Sequence, residues 1–281
     1  MKKLAVWMLG FASLVAMTAC NDDDRESVRV PAAVQGVFGE MYPGATHVEW
    51  SDRGGYMVAD FRDGGAGMQA WFDAAGKWYM TEQDVPYAQL PEAVRTAFES
   101  GDYAAWQVDD VDKLMREGLE TVYVLEVEQG KEEFDLWYSA DGVLLRAVPD
   151  TDGDDDREGM LPQELPQAVR DFIAGKYPGA RIADAEREKG TLEVEIIDGR
   201  TPREVCFGTG DAWLWTKTEV RSSGLPAAVI AALAGSQYAN WKIDDADHYD
   251  SPDGEWYLLE LEQPQSEREA ELRILPDGTI L

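Results

Sequence analysis

The feature that most limits how this chain can fold is a helix opener written four times. Its copies are Val30-Pro31-Ala32-Ala33-Val34, Leu90-Pro91-Glu92-Ala93-Val94, Leu165-Pro166-Gln167-Ala168-Val169 and Leu225-Pro226-Ala227-Ala228-Val229. Proline suits the first helical position, where its fixed φ and missing N–H cost nothing. Val34, Val37, Phe38 and Met41 then fall at helical spacing, as do Val94, Ala97 and Phe98 in the second copy. Each opener therefore starts a short helix with one apolar stripe.

A run of strand-like segments follows each helix. In the first unit Tyr42-Pro43-Gly44-Ala45 stops the helix, and strands are expected over 47–51, 56–62, 68–73 and 77–82. Gly54-Gly55, Gly64-Gly65 and Ala74-Ala75-Gly76 punctuate them as hairpin turns do. The second unit repeats the plan over 106–110, 121–128, 132–139 and 143–148, the third runs from 166 to 220, and the fourth from 226 to 281. Shifting the first half by 135 positions superposes Tyr42-Pro43-Gly44-Ala45 on Tyr177-Pro178-Gly179-Ala180. The same shift places Tyr103, Trp106 and Asp109-Asp110 on Tyr238, Trp241 and Asp244-Asp245. Matches along both halves mark a true internal repeat. The expected architecture is α+β: two tandem domains, 29–149 and 164–281, each of two α-β4 units with helices on one face of an antiparallel sheet. Residues 150–163 form an acidic linker, 20–28 an acidic tether and 1–19 a leader.

The 281 residues carry 55 acids against 25 bases, a net charge of −30. Such a chain is repelled by phosphate backbones and anionic headgroups, so nucleic acid is excluded as a partner and a membrane is reached only through an anchor. Asp150, Asp152 and Asp154 faintly resemble a calcium loop, but Asp155 stands where that loop needs glycine and Leu161 where it needs glutamate. At the N-terminus, Met1-Lys2-Lys3 and an apolar run over 4–15 form a signal peptide, too short for a span of ~20 residues. Ala16-Met17-Thr18-Ala19-Cys20 resembles a bacterial lipobox, with Met17 in place of the usual leucine, which makes Cys20 the lipidation site; an ordinary signal cleaved after Ala19 is the alternative. Asn21-Asp22-Asp23-Asp24 resembles the export signal of surface lipoproteins. The expected location is the cell envelope, as an outer-membrane lipoprotein facing the periplasm or the exterior. Cys206 is left as a lone thiol, expected to be buried.

Catalytic chemistry finds little support. His47 and His248 are the only histidines and lie at non-equivalent places in different halves, beside no nucleophile. Two histidines and one free cysteine do not make a zinc site. No GxGxxG, P-loop or HExxH occurs. Asp109-Asp110 and Asp244-Asp245 read as polar strand ends rather than an acid pair. The reading is of a non-enzyme with no cofactor and no metal site.

The Leu-Pro-x-x-Val openers, the Tyr-Pro-Gly-Ala stops and the tryptophan at the start of the sheet together resemble the PepSY-like, β-lactamase-inhibitor-like family of secreted Bacteroidetes proteins. That resemblance implies helices layered on an antiparallel sheet whose other face is free to meet a partner. The third unit departs from the pattern, with Ala185 where the first has Trp50, so its opening strand is expected to be looser. Alternation puts Phe72, Leu136, Tyr138, Val205, Phe207, Leu272 and Ile274 toward the helices. The opposite parity should be polar; Trp71 and Trp137 break that rule and Tyr79 joins them from the next strand. These three are the candidate partner-binding residues, packing under a loop or another unit being the alternative. The function expected is a non-enzymatic, lipid-anchored envelope protein that binds another macromolecule, inhibiting or chaperoning a secreted enzyme or peptidase. A calcium- or glycan-binding lipoprotein is the second reading.

Overall fold

The computed structural model describes residues 28–149, 160–266 and 268–281. The leader, Cys20, the tether up to residue 27 and linker residues 150–159 with their aspartates lie outside them. The four openers all become helices: α1 (Ala32–Met41), α2 (Glu92–Ser100), α3 (Gln167–Lys176) and α4 (Ala227–Gly235). Each proline stands one position earlier than expected, as the residue before the helix; at Pro31 φ is −59° and ψ 144°. Its carbonyl accepts the first helical bond, from the Gln35 N–H at 3.1 Å. The buried stripe is an i, i+4 pair in every copy: Val34 and Phe38, Val94 and Phe98, Val169 and Ile173, Val229 and Leu233. Met41, expected on that stripe, is exposed, because the helix ends there and Tyr42 turns in instead.

The strands form two meanders whose spatial order simply follows the chain. Eight make the first sheet: β1 (Thr46–Arg53), β2 (Tyr56–Asp63), β3 (Ala66–Phe72), β4 (Trp78–Asp84), β5 (Gln107–Arg116), β6 (Val122–Gln129), β7 (Glu132–Ser139) and β8 (Leu144–Pro149). Seven make the second: β9 (Arg181–Glu188), β10 (Thr191–Asp198), β11 (Thr201–Phe207), β12 (Trp213–Glu219), β13 (Lys242–Ser251), β14 (Gly254–Glu262) and β15 (Glu269–Ile274). The fifth strand is twice the length expected and pairs with β4 from Met80↔Arg116 to Asp84↔Asp112. That pairing fuses two α-β4 units into one sheet. In the fourth unit the closing segment shrinks to a single bridge, Ile274↔Ile280. Among the described residues no helix is long and apolar enough to cross a membrane.

The helices cover one face of each sheet and four apolar clusters lie between the layers, one per unit. Alternation places these residues as the sequence implies: Phe72 lies under α1 and Leu136 and Tyr138 under α2. Val205 and Phe207 lie under α3, Leu272 and Ile274 under α4. The expected looseness of the third unit is not found. β9 pairs with β10 from end to end apart from one bulge, and Ala185 is buried. The ring lost at Ala185 is supplied from the helix, where Phe172 replaces the Val37 of unit one and sits 5.4 Å from Phe207 and 5.3 Å from Trp213. Hairpin turns press against the helix starts. A Cβ on Gly142 (φ +76°) would come within 2.3 Å of the Ala93 carbonyl oxygen, and one on Gly278 (φ +90°) within 2.8 Å of that of Ala228. Only glycine fits there.

Candidate functional site

The outer sheet faces, away from the helices, are where the sequence places its candidate residues. Trp71 and Trp137 do lie on that face in the first domain, but they are buried, at 0% and 4% exposure. They join Val58, Met80, Leu114, Val122 and Val124 in an apolar cluster that Met160 and Leu161 close from outside. The open face expected for them is therefore a covered one. The physical reason is area: two indoles on a solvated sheet would leave apolar surface in water, and each aliphatic side chain buried against them returns roughly 1.5–3 kcal/mol. Tyr79 reaches the cluster rim through a bulge, since Trp71 pairs with Met80 but Phe72 with Trp78, leaving Tyr79 as the extra residue. It packs edge-on to Tyr56 at 5.3 Å, with the Lys77 ammonium 4.8 Å from its ring.

The second domain docks on the border of this cluster through a charged joint. Arg116, at the end of β5, is buried; its Nη1 donates to Asp184 Oδ1 at 2.6 Å and its Nη2 to the Ala183 carbonyl at 2.6 Å. It also donates to the Met160 carbonyl at 3.4 Å, tying the covering segment to the same side chain. Arg146 stacks on Trp137 at 4.1 Å and bridges Asp184 (2.7 Å) and Glu195 (3.0 Å). Burial pushes the Asp184 carboxyl up, but Arg116 and Arg146 together outweigh it and hold it below the usual carboxylate range. Around this core Arg181 pairs with Glu120 and Asp141, and the Glu120 N–H donates to the Ile182 carbonyl at 2.7 Å. Val143 packs with Ala183 and Ile197 across the joint.

The second domain presents the counterpart of the covered cluster with different contents. Cys206 pairs with Trp215, Lys217 with Tyr249, Tyr249 with Trp256 and Leu258 with Arg273. By register these positions correspond to Trp71, Met80, Glu82, Leu114, Val122, Val124 and Trp137 of the first domain. Tyr249 and Trp256 stack with centroids 5.0 Å apart and planes 5° apart. Trp215 meets Tyr249 edge-on at 5.4 Å, and the Arg273 guanidinium lies 5.2 Å from the Trp256 ring. Trp215, Tyr249, Trp256 and Leu258 are all partly exposed, and none belongs to an apolar cluster of the described residues. Under the 135-residue shift Trp215 and Tyr249 fall on Met80 and Leu114, but β14 is offset by 134, so the shift sends Val122 to the inward-facing Tyr257 and misses Trp256.

Acidic side chains border the aromatic row. Asp245, Glu260 and Glu271 lie directly opposite one another across β13, β14 and β15, where like charges repel. Burial, then Asp245 and Glu271, push the Glu260 carboxyl up. Asp247, two residues along from Asp245, is raised to about 6 by burial, with Asp245, Glu219 and Glu260 adding to the effect against Lys217. A groove of about 380 Å³ runs from Arg146 past Glu204 and Lys217 to Asp247. The Cys206 thiol is buried and pushed up to about 11, by burial first and by Glu193 and Glu204 after it. Among the described residues no group of three or more His, Cys, Asp or Glu is arranged to hold a metal ion.

Comparison with known proteins finds relatives of the chain. A family profile described as "Putative beta-lactamase-inhibitor-like, PepSY-like" matches residues 55–146 and 190–281, more than half of the chain. Each match holds the last three strands of one unit and the helix and strands of the next. Among solved structures, a BLIP-like protein from Bacteroides fragilis is 37% identical, with a TM-score of 0.45, and the match covers 52% of this chain and 99% of that one. A DUF2874 family protein from Bacteroides ovatus is 35% identical, with a TM-score of 0.42, covering 43% and 89%. A Bacteroides eggerthii structure described as "putative periplasmic proteins" is 24% identical, with a TM-score of 0.43, covering 47% and 96%. No curated protein matches the chain.

Proposed function

The chain belongs to the PepSY-like, beta-lactamase-inhibitor-like family, and from that premise we propose that it is a non-catalytic binding protein of the cell envelope that holds another protein on the outer sheet face of its second domain. The observation that carries the reading is the partly exposed row Trp215, Tyr249 and Trp256, on the part of the outer face that lies beyond the joint with the first domain. Large rings held rigid on a sheet are the residues that anchor protein interfaces, because they contribute area at small entropic cost. In the first domain the corresponding face holds the chain's own Met160 and Leu161. Trp71 and Trp137 are thereby assigned to packing that segment, and Tyr79 to its rim. An inhibitor-like role for the bound state accords with the family description. Anchorage through Cys20 rests on the lipobox-like Ala16-Met17-Thr18-Ala19-Cys20, and an envelope location accords with that segment.

The test is affinity capture from envelope extracts with the wild-type protein beside a Trp215→Ala/Trp256→Ala variant. A protein retained by the wild type and lost by the variant supports the reading; equal retention by both refutes it. Anchorage is tested separately by membrane partition of Cys20→Ala, which should release the protein into the soluble fraction.

A further inference from the structure

We infer that the second domain's outer face binds an extended peptide segment carrying two adjacent apolar side chains and, three or four residues away, a basic one. The inference rests on the binding role proposed above and names the partner's chemistry. Its first support is internal: the same chain shows what such a face does when occupied. In the first domain the outer positions of β4 to β7 receive Met160 and Leu161 side by side, the latter 9% exposed, with the Met160 carbonyl accepting from Arg116. The second domain has Trp215, Tyr249 and Trp256 at the positions of Met80, Leu114 and Val122, all three partly exposed and in no apolar cluster of the described residues.

Charge supplies the second support. Asp245, Glu260 and Glu271 stand in one cross-strand row; Asp247 and Leu258 stand in the next, with Arg273; Tyr249 and Trp256 stand in the row beyond. Three acids abreast repel one another, so a cation placed over them is attracted by all three. Rows two residues apart are separated by about 6.7 Å, so the acid row lies about 13 Å from the aromatic row. An extended peptide rises about 3.3 Å per residue and covers that distance in about four residues. Apolar side chains over Tyr249 and Trp256 thus place a lysine or arginine three or four positions away over Glu260. In the sequence Arg157 likewise stands three residues before Met160.

The experiment is a calorimetric and tryptophan-fluorescence titration of the full protein with the blocked peptide Arg-Arg-Gly-Gly-Met-Leu-Pro. Its charge-reversed analogue, Glu-Glu-Gly-Gly-Met-Leu-Pro, is the control. Saturable binding of the basic peptide is expected, weakened about ten-fold or more by Trp256→Ala, as for an aromatic anchor. Glu260→Gln/Glu271→Gln should weaken it as well, and because that variant removes like-charge repulsion it folds at least as well as the wild type. The inference is overturned if neither peptide binds, if both bind equally, or if Glu260→Gln/Glu271→Gln leaves the affinity unchanged. It is also overturned if Trp256→Ala alters the sedimentation mass of the chain instead, since the face would then join two copies. Should capture of a protein depend on Trp215 and Trp256 while the basic peptide fails, the binding role stands and the peptide chemistry falls.

Discussion

Replacing Arg116 by alanine removes the side chain on which both the domain joint and the covering segment depend. The guanidinium is 1% exposed and its partner Asp184 16%. Two bonds of 2.6 Å, to Asp184 and to the Ala183 carbonyl, disappear together. A hydrogen bond to a charged group contributes about 1.5–3 kcal/mol, and breaking a buried pair from one side costs about 3–5 kcal/mol. Arg146 still neutralises Asp184 at 2.7 Å, so the lower end applies, about 3 kcal/mol, or a factor of about 100 in the docking equilibrium. Each domain keeps its own helix–sheet clusters, so the loss falls on docking and not on either core. Urea unfolding followed by near-ultraviolet circular dichroism should therefore change from one transition to two. The pH dependence follows from Asp184. Its folded value lies below the ordinary 3.8, so the stability it supplies is present above about pH 4 and is lost as pH falls through the folded value. The gap between wild type and Arg116→Ala should be full at pH 7 and shrink on acidification below about pH 4. A single transition shifted by less than about 1 kcal/mol, or a gap that does not depend on pH, would refute this account of the joint.

Three further outcomes are expected. Leu161→Ala should cost about 2–3 kcal/mol and raise acrylamide quenching of tryptophan fluorescence, because Trp71 and Trp137 lose their cover. Asp247→Asn should stabilise the protein by about 1–2 kcal/mol at pH 8, a figure reduced from the full shift for solvent screening. The native carboxyl, raised to about 6, binds its proton more tightly folded than unfolded, so wild-type stability rises as pH falls from about 6 toward 4 and the advantage of Asn vanishes there; urea midpoints at the two pH values check the sign. Gly142→Ala should cost more than Gly130→Ala. Both have positive φ, but only the first would bring a Cβ within 2.3 Å of a backbone oxygen; melting temperatures of the two variants compare them directly.

The repeat made the layers legible before any coordinates, because Val34 and Phe38, or Trp71 and Phe72, declare their face by spacing alone. What covers a face is a different matter. Met160 and Leu161 belong to no strand and carry no periodicity, so nothing local connects them with Trp71 and Trp137, more than twenty residues distant. The pairing of Arg116 with Asp184 is similarly silent in sequence, since it joins a strand end to a bulged strand in another domain. The exchange of Trp50 for Ala185 looked like a loss because its compensation, Phe172 for Val37, sits on a helix rather than on the strand. The open aromatic row of the second domain is only partly legible in the repeat: Trp215 and Tyr249 fall on Met80 and Leu114 under the 135-residue shift, but Trp256 matches Val122 only at an offset of 134, and no ring of the row falls on a ring of the first domain.

Strand order that follows the chain without a crossover also sets a timetable. A ribosome releases the polypeptide from its N-terminus, and β8 ends at Pro149, so every strand of the first sheet emerges before Met160 and Leu161 do. Until they do, Trp71, Trp137 and their neighbours lack their cover. The segment that covers them follows immediately, and Arg116 waits longer still, until Asp184 arrives with β9. The nascent first domain thus exposes an adhesive patch that the mature protein hides.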